Sequence, residues 1–450
     1  MKNLHTNILK RLDQIINETA DHIHDFIDSP SAFTRKRKLD AFTLIKTTLN
    51  MQGNSLEKEL DDAFEDEDKL MTASAYVQQK SKLSPTCFKH ILQTFNQDLS
   101  NIELLDNHYR LFAIDGSDFN QLFNSNSQNI ILANQYSKAI CQVHVNACYD
   151  LLNNIYQDCV FQPKAKMDER GAAIRMLKNL DCGPYIVMMD RGYTSFNLLE
   201  NCNRLPNCYY VIRTKAGKTG IKEVSSLPNQ ECDVNINCRV TISHQYYLAH
   251  HKYENIHLIL HKKRHYKQYR SKNTVDSRWD FEDFCTVKFR ACKFRINDPD
   301  SGKEEWEVVL TNLNRKDFPL SRIKDLYHLR WGIENSFRKL KYDLGSVQFH
   351  SKQDDFIEME ILAHMIMFNV NSQIDCQADV PQEHCKYSYI INFKMACSVI
   401  HKHYLKSSSD QIFFKILRRI SRYTVPIRPG RKSKRTMKVQ SPVYFIYRVA

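Results

Sequence analysis

Hydrophobic and polar positions along the chain change period at two places. Through the first hundred residues the apolar positions recur at helical spacing. Asp40–Leu49 is amphipathic, Gly53-Asn54-Ser55 reads as a turn, and Leu56–Phe64 follows with Ser55 placed to cap it. A second short pair, Ser74–Gln79 and Pro85–Phe95, comes next. From Tyr109 the period shortens to that of strands. Leu111–Ile114 is an apolar run ending at Asp115, Gln142–Tyr149 alternates, Leu151–Asn154 turns and Tyr156–Gln162 returns. Asp168–Leu180 has helical spacing, Tyr185–Met189 is a continuous apolar strand ending at Asp190, and Tyr209–Arg213 is a further strand. Short β-rich segments follow (Arg239–His244, Ile256–Leu260, Thr286–Phe289, Trp306–Thr311), and helix resumes at Leu320–Tyr342 and Ile357–Asn371.

That succession predicts an α/β fold. Three antiparallel strands, then helix, strand, helix and strand, is the order of an RNase H-like sheet. Such a core is expected over 105–215 and 313–375, interrupted by a β-rich insertion domain over 216–312. A helical region over 1–104 precedes it, and a helical, basic tail over 376–450 follows. The N-terminal helix pairs carry a polar edge (Tyr76, Gln78, Gln79, Lys80, Lys82) behind the basic run Arg35-Lys36-Arg37-Lys38, which suits a DNA reader. A solvated helical domain with ordinary surface lysines fits the same segment equally well.

Charge narrows the partners. A formal net charge of +13 calls for a polyanion, whether DNA, RNA or an acidic membrane. At 42% hydrophobic residues the chain can bury a core, which excludes wholesale disorder. The 14 cysteines include no CxxC pair, so the expectation is reduced thiols in the cytoplasm. The longest apolar runs, Tyr185–Met189 and Met365–Phe368, are far too short to span a bilayer, and no membrane partner is expected.

Three carboxylates stand where metal chemistry needs them. On a continuous helix over Leu320–Tyr342, Tyr327, Arg330, Glu334 and Lys341 fall within roughly a 60° arc. Leu326, Leu329, Ile333, Phe337 and Leu340 form the adjoining apolar stripe. An ordinary Arg330–Glu334 ion pair on a solvated face is the competing reading. Asp115 and Asp190 each follow an apolar strand, where a rigid backbone presents a carboxylate to a ligand. Asp118 competes with Asp115, but the strand is expected to have ended before it. All-oxygen ligand sets select Mg²⁺ or Mn²⁺. Two such ions about 3.5–4 Å apart activate a nucleophile and stabilise the leaving oxygen in phosphodiester cleavage.

Tyr327-x2-Arg330-x3-Glu334-x6-Lys341 resembles the Tyr-Arg-Glu-Lys signature of a large group of bacterial insertion-sequence DDE transposases. Asp190-Arg191-Gly192-Tyr193 is similar to that group's second-aspartate motif, with Tyr193 one position early. Asp115-Gly116-Ser117 is similar to its first. The resemblance implies that Asp115, Asp190 and Glu334 bind two Mg²⁺ or Mn²⁺ ions and carry cleavage and strand transfer. It implies that Tyr327, Arg330 and Lys341 contact the DNA backbone near the cleaved end. Double-stranded DNA, as element ends and target, is the implied partner, with a homodimer assembled on it in the nucleoid. A domesticated DNA-binding protein and a structure-specific nuclease on the same fold are the alternatives. Two further basic stretches, His261–Lys272 and Arg428–Lys438, suit phosphate contact or a solvated end. Trp306 and Trp331 are expected in the core.

Overall fold

The computed structural model describes residues 6–35, 38–64, 68, 70–97, 99, 102–132, 138–215, 217, 220–252, 254–259, 279–297, 304–380 and 387–428. Five helices come first: α1 (Ile8–Asp21), α2 (Ala41–Leu49), α3 (Leu56–Ala63), α4 (Ala73–Lys80) and α5 (Pro85–Gln97). Asn7, Asp40 and Thr72 each cap a helix, their side-chain oxygens accepting a free backbone N–H of the first turn. The chain then lays down β1 (Arg110–Gln121), β2 (Ile130–Ile131), β3 (Ile140–Asp150), β4 (Ile155–Pro163), α6 (Glu169–Lys178), β5 (Tyr185–Met189), α7 (Phe196–Arg204) and β6 (Cys208–Thr214). Next are α8 (Lys222–Ser225), β7 (Cys232–Thr241), α9 (His244–His250), β8 (Ile256–Leu258), β9 (Phe284–Asn297) and β10 (Glu304–Thr311). Helices α10 (Leu320–Leu329), α11 (Trp331–Tyr342) and α12 (Asp354–Asp375) lead to α13 (Phe393–Tyr404), α14 (Asp410–Ile420) and a small ribbon of β11 (Tyr389–Ile391) with β12 (Thr424–Pro426).

The order β2-β3-β1-β5-β6-β10-β9-β7-β8, with β4 also paired to β3, makes a mixed sheet of ten strands. At its centre β1, β5 and β6 run parallel. All five side chains of β5 are buried, as expected of a parallel strand covered on both faces. Alternation assigns the faces. Phe112 and Ile114 pack toward α6 and α7, while Leu111 and Ala113 face the side carrying α10 to α12.

Three expectations need correction. The strands of 216–312 do not close on themselves as an insertion domain: β10 pairs with β6, so they continue the central sheet and share its core. The N-terminal helices pack into one core with α12, α13 and α14. Of their polar edge, Tyr76, Gln79 and Lys80 turn inward, with Tyr76 and Lys80 each 1% exposed, while Gln78 is exposed and Lys82 half-buried. Tyr76 meets Thr48 at 2.6 Å and Lys80 pairs with Glu360 of α12 at 3.1 Å. Finally, the helix over 320–342 breaks at Arg330, where the backbone bonds shorten to i→i−3. Leu329 and Trp331, on either side of the break, are 45% and 42% exposed, so neither belongs to the core.

Among the described residues no helix is long and apolar enough to cross a membrane.

Candidate active site

The register around β1 explains how distant acids meet. Strand β5 ends at Met189, opposite Ile114, so the next residues on the two strands are Asp190 and Asp115. Strand β1 does not end at Asp115, as its polar sequence suggested. It continues to Gln121 because β3 still pairs with it on the other edge. Asp115 is therefore the first residue of β1 whose β5 flank is open.

By alternation Asp115, Ser117 and Phe119 project toward α11, and Gly116 and Asp118 project to the opposite face. The contacts agree. Arg330, at the α10–α11 break, reaches Asp115 Oδ2 at 3.5 Å and Glu334 Oε1 at 2.8 Å. Lys341 Nζ donates to Ser117 Oγ and to the Asp118 carbonyl, both at 2.7 Å, and lies 4.5 Å from the Phe119 ring. On the far face Asp118 binds His144 Nδ1 at 2.6 Å and Lys164 at 2.8 Å. Asp118 thus competes with Asp115 in sequence but not in space.

Electrostatics mark the same place. Burial pushes the Asp115 carboxyl up to about 6; the Gly116 N–H and Arg330 oppose this, and the charges of Asp190 and Glu334 reinforce it. A carboxyl raised mainly by burial, with two further acids adding to it, marks a place where positive charge is favoured, and Arg330 supplies some of it. Asp190 is tied in a turn, its Oδ1 accepting the Gly192 N–H at 2.7 Å. Lys341, largely desolvated, is pulled down to about 8 by burial, which the Asp118 charge only partly offsets. Tyr327 is buried among Phe318, Ile323 and Leu326, with the Arg330 guanidinium 5.8 Å from its ring centre. The residues of the basic run divide: Arg35 and Lys38 are exposed ahead of α2, while Lys36 and Arg37 lie outside the described residues. So do His261–Lys272 and all of Arg428–Lys438 but its first residue.

One constellation was not foreseen. His144, 2% exposed, sits under Gly116 between Asp118 and Glu169, with its Nε2 3.1 Å from Glu169 Oε1. A side chain at 116 would place its Cβ 2.4 Å from His144 Nε2 and 2.7 Å from Glu169 Oε1, so this position needs glycine. The sequence signal was the Asp-Gly-Ser-Asp run itself, which puts acids on both faces of one strand. Burial lowers the His144 ring, but the carboxylates of Asp118 and Glu169 outweigh it and lift the ring to about 9. A histidine raised in the folded state stabilises fully below its unfolded value near 6.5 and loses that contribution as pH rises through about 9. With both carboxylates partly solvated, about 1–2 kcal/mol of stability is expected to disappear across that window. Urea unfolding of wild type and His144→Gln at a series of pH values checks this. The variant's stability should show no such slope, and equal slopes would refute the assignment.

The strand residue Asp115, Asp190 just past β5 and Glu334 on α11, next to an arginine and a buried lysine, form an arrangement that can bind divalent cations and a phosphodiester. Among curated proteins no sequence matches the chain. A solved structure similar to it is the cryo-EM structure of piggyBac transposase synaptic complex with hairpin DNA, at 10% sequence identity and a TM-score of 0.44, with 96% of this chain and 88% of that one covered. The family described as "Transposase DDE domain" matches residues 106–370, a segment that contains Asp115, Asp190, Tyr327, Arg330, Glu334 and Lys341. Because that match spans more than half of the chain, the protein belongs to the transposase DDE domain family.

Proposed function

We propose that the protein binds the ends of an insertion sequence and catalyses their metal-dependent cleavage and transfer, with Asp115, Asp190 and Glu334 as the ligands of two Mg²⁺ or Mn²⁺ ions. The observation that carries this reading is the meeting of Asp115 with Glu334 across Arg330, with the charge of Asp190 acting on the same Asp115 carboxyl. Their donor set fits hard cations, because it is all oxygen. Bound there, the ions would lower the pKa of a water and stabilise the leaving oxygen.

The chain's own groups supply the rest. The pairing of β1 with β3 keeps Asp115 on a rigid strand, and the turn at Gly192 fixes Asp190. Arg330 neutralises Asp115 and Glu334 in the metal-free protein, where its guanidinium is too buried to grip a phosphate. Lys341 and Tyr327 border the site from α11 and α10. DNA contact falls to exposed side chains such as Trp331, Arg35 and Lys38, with a homodimer assembled on the two ends. The expected outcome for Arg330→Ala follows. In the absence of divalent ions, the line of log binding constant against log salt should run parallel to wild type. A slope smaller by about one unit would show that Arg330 holds a phosphate instead.

Incubating the protein with a labelled duplex carrying the element's end, supercoiled target DNA and Mg²⁺ tests the proposal. Joined products that appear with Mg²⁺ and vanish with EDTA support it. Cleavage without joining indicates a nuclease, and binding without cleavage a DNA-binding protein that has left catalysis behind.

A further inference from the structure

Away from the acids, at the far end of the sheet, three residues of different chemistry meet. Glu223 lies on the single turn α8, Cys238 on β7 and His257 on β8, and one donor atom from each falls within 4.8 Å of the other two. His257 Nε2 stands 2.9 Å from both Glu223 oxygens, so the carboxylate faces one point with both arms. Cys238 is 0% exposed, whereas the side chains of Glu223 and His257 are 14% and 20% exposed, leaving one open side. The register explains the meeting. Val240 pairs with His257, and Cys238, two residues back on β7, shares the face of Val240.

We propose that Glu223, Cys238 and His257 bind one Zn²⁺ ion that ties β8 and α8 to β7, separately from the acids that face DNA. A thiolate, an imidazole and a carboxylate select zinc and disfavour Mg²⁺, whose ligands are oxygens. Donors around a tetrahedral zinc lie about 3.3–3.8 Å apart. The His257–Glu223 pair must therefore open by a few tenths of an ångström, which a glutamate on a one-turn helix can do. Binding turns the Cys238 thiol into a thiolate and sends its proton to solvent. It also displaces the proton that His257 Nε2 donates to Glu223, so that the neutral ring carries its one proton on Nδ1 and coordinates through Nε2. Water fills the fourth position on the open side.

The site has a mechanical reason. Strand β8 has three residues and, among the described residues, pairs with β7 alone, and α8 has four, so neither holds its place by its own hydrogen bonds. A metal bond from each to the long strand β7 does so. Without metal the cluster is stable in another way, because Asn255 and His257 both hydrogen-bond Glu223. Zinc is thus expected to add rigidity at this end, not to decide folding.

Full-length protein expressed with zinc, gel-filtered and then dialysed against excess Mg²⁺ should hold one Zn²⁺ per chain by mass spectrometry. Co²⁺ replacing it should give a thiolate-to-cobalt charge-transfer band. Both should persist in Asp190→Asn and be lost in Cys238→Ser. His257→Gln, at the rim and expected to fold as wild type by circular dichroism, should weaken zinc at least tenfold. Less than stoichiometric zinc in wild type, or a cobalt band unchanged in His257→Gln, would overturn the assignment.

Discussion

Alanine at Asp115, Asp190 or Glu334, one at a time, is expected to reduce DNA cleavage by at least about a thousandfold while end binding stays within about threefold of wild type. Removing a ligand from a catalytic metal forfeits several kcal/mol of transition-state stabilisation, at about 1.4 kcal/mol per tenfold in rate. Affinity comes mostly from phosphate contacts elsewhere on a surface of net charge +13. Asp118→Ala is the control: it sits three residues from Asp115 but on the other sheet face, bound to His144 and Lys164. Cleavage should survive there at more than about a tenth of the wild-type rate. Gel-resolved cleavage of an end-labelled duplex reads all four variants, and activity in Asp190→Ala would mean that the metals lie elsewhere.

The second large effect is on stability. Lys80→Met is expected to destabilise the fold by about 3–5 kcal/mol, the cost of leaving a buried charge without its partner. Lys80 and Glu360 pair at 3.1 Å with both side chains 1% exposed, and His350 is the other neighbour of the carboxylate at 3.1 Å. Burial alone would raise Glu360, yet Lys80 and His350 hold it well below the usual carboxylate range. Its contribution is therefore present at neutral pH and lost as pH falls. Urea unfolding should show the loss, and Lys80→Met combined with Glu360→Gln should recover most of it. A single-variant loss under about 1 kcal/mol would show that the N-terminal helices are not welded to α12. If they are, deleting residues 1–104 unfolds the protein, and DNA recognition by that region has to be tested with surface variants at Arg35 and Lys38.

How far the sequence was legible depended on whether a feature is local. Strand β5 was read to the residue, because a wholly apolar five-residue run bounded by Gly183-Pro184 and Asp190 has one interpretation. The extent of β1 was not, since Asp115 to Gln121 is polar and owes its strand conformation to β3, some thirty residues later. Helical spacing found α10 and α11 but passed over the break at Arg330, beside which Leu329, expected on the buried stripe, is exposed. Tyr76 and Lys80 read as a solvated edge because their partners, Thr48 and Glu360, are distant in sequence. The three acids could be singled out as candidates because each follows or adjoins a local pattern: two close apolar strands and the third lies on a helix beside an apolar stripe. The His144–Asp118–Glu169 group was missed: the Asp-Gly-Ser-Asp run put Asp118 on the far face of the strand, but its partners arrive there only by the pairing of β3 with β1 and the seating of α6.

Soaking crystals of the protein in Mn²⁺ and recording anomalous diffraction tests the central claim most directly. The account predicts two manganese peaks about 3.5–4 Å apart among Asp115, Asp190 and Glu334, with the Arg330 guanidinium withdrawn from both carboxylates. A single peak elsewhere, or Arg330 still bridging Asp115 and Glu334 at saturating Mn²⁺, would contradict it.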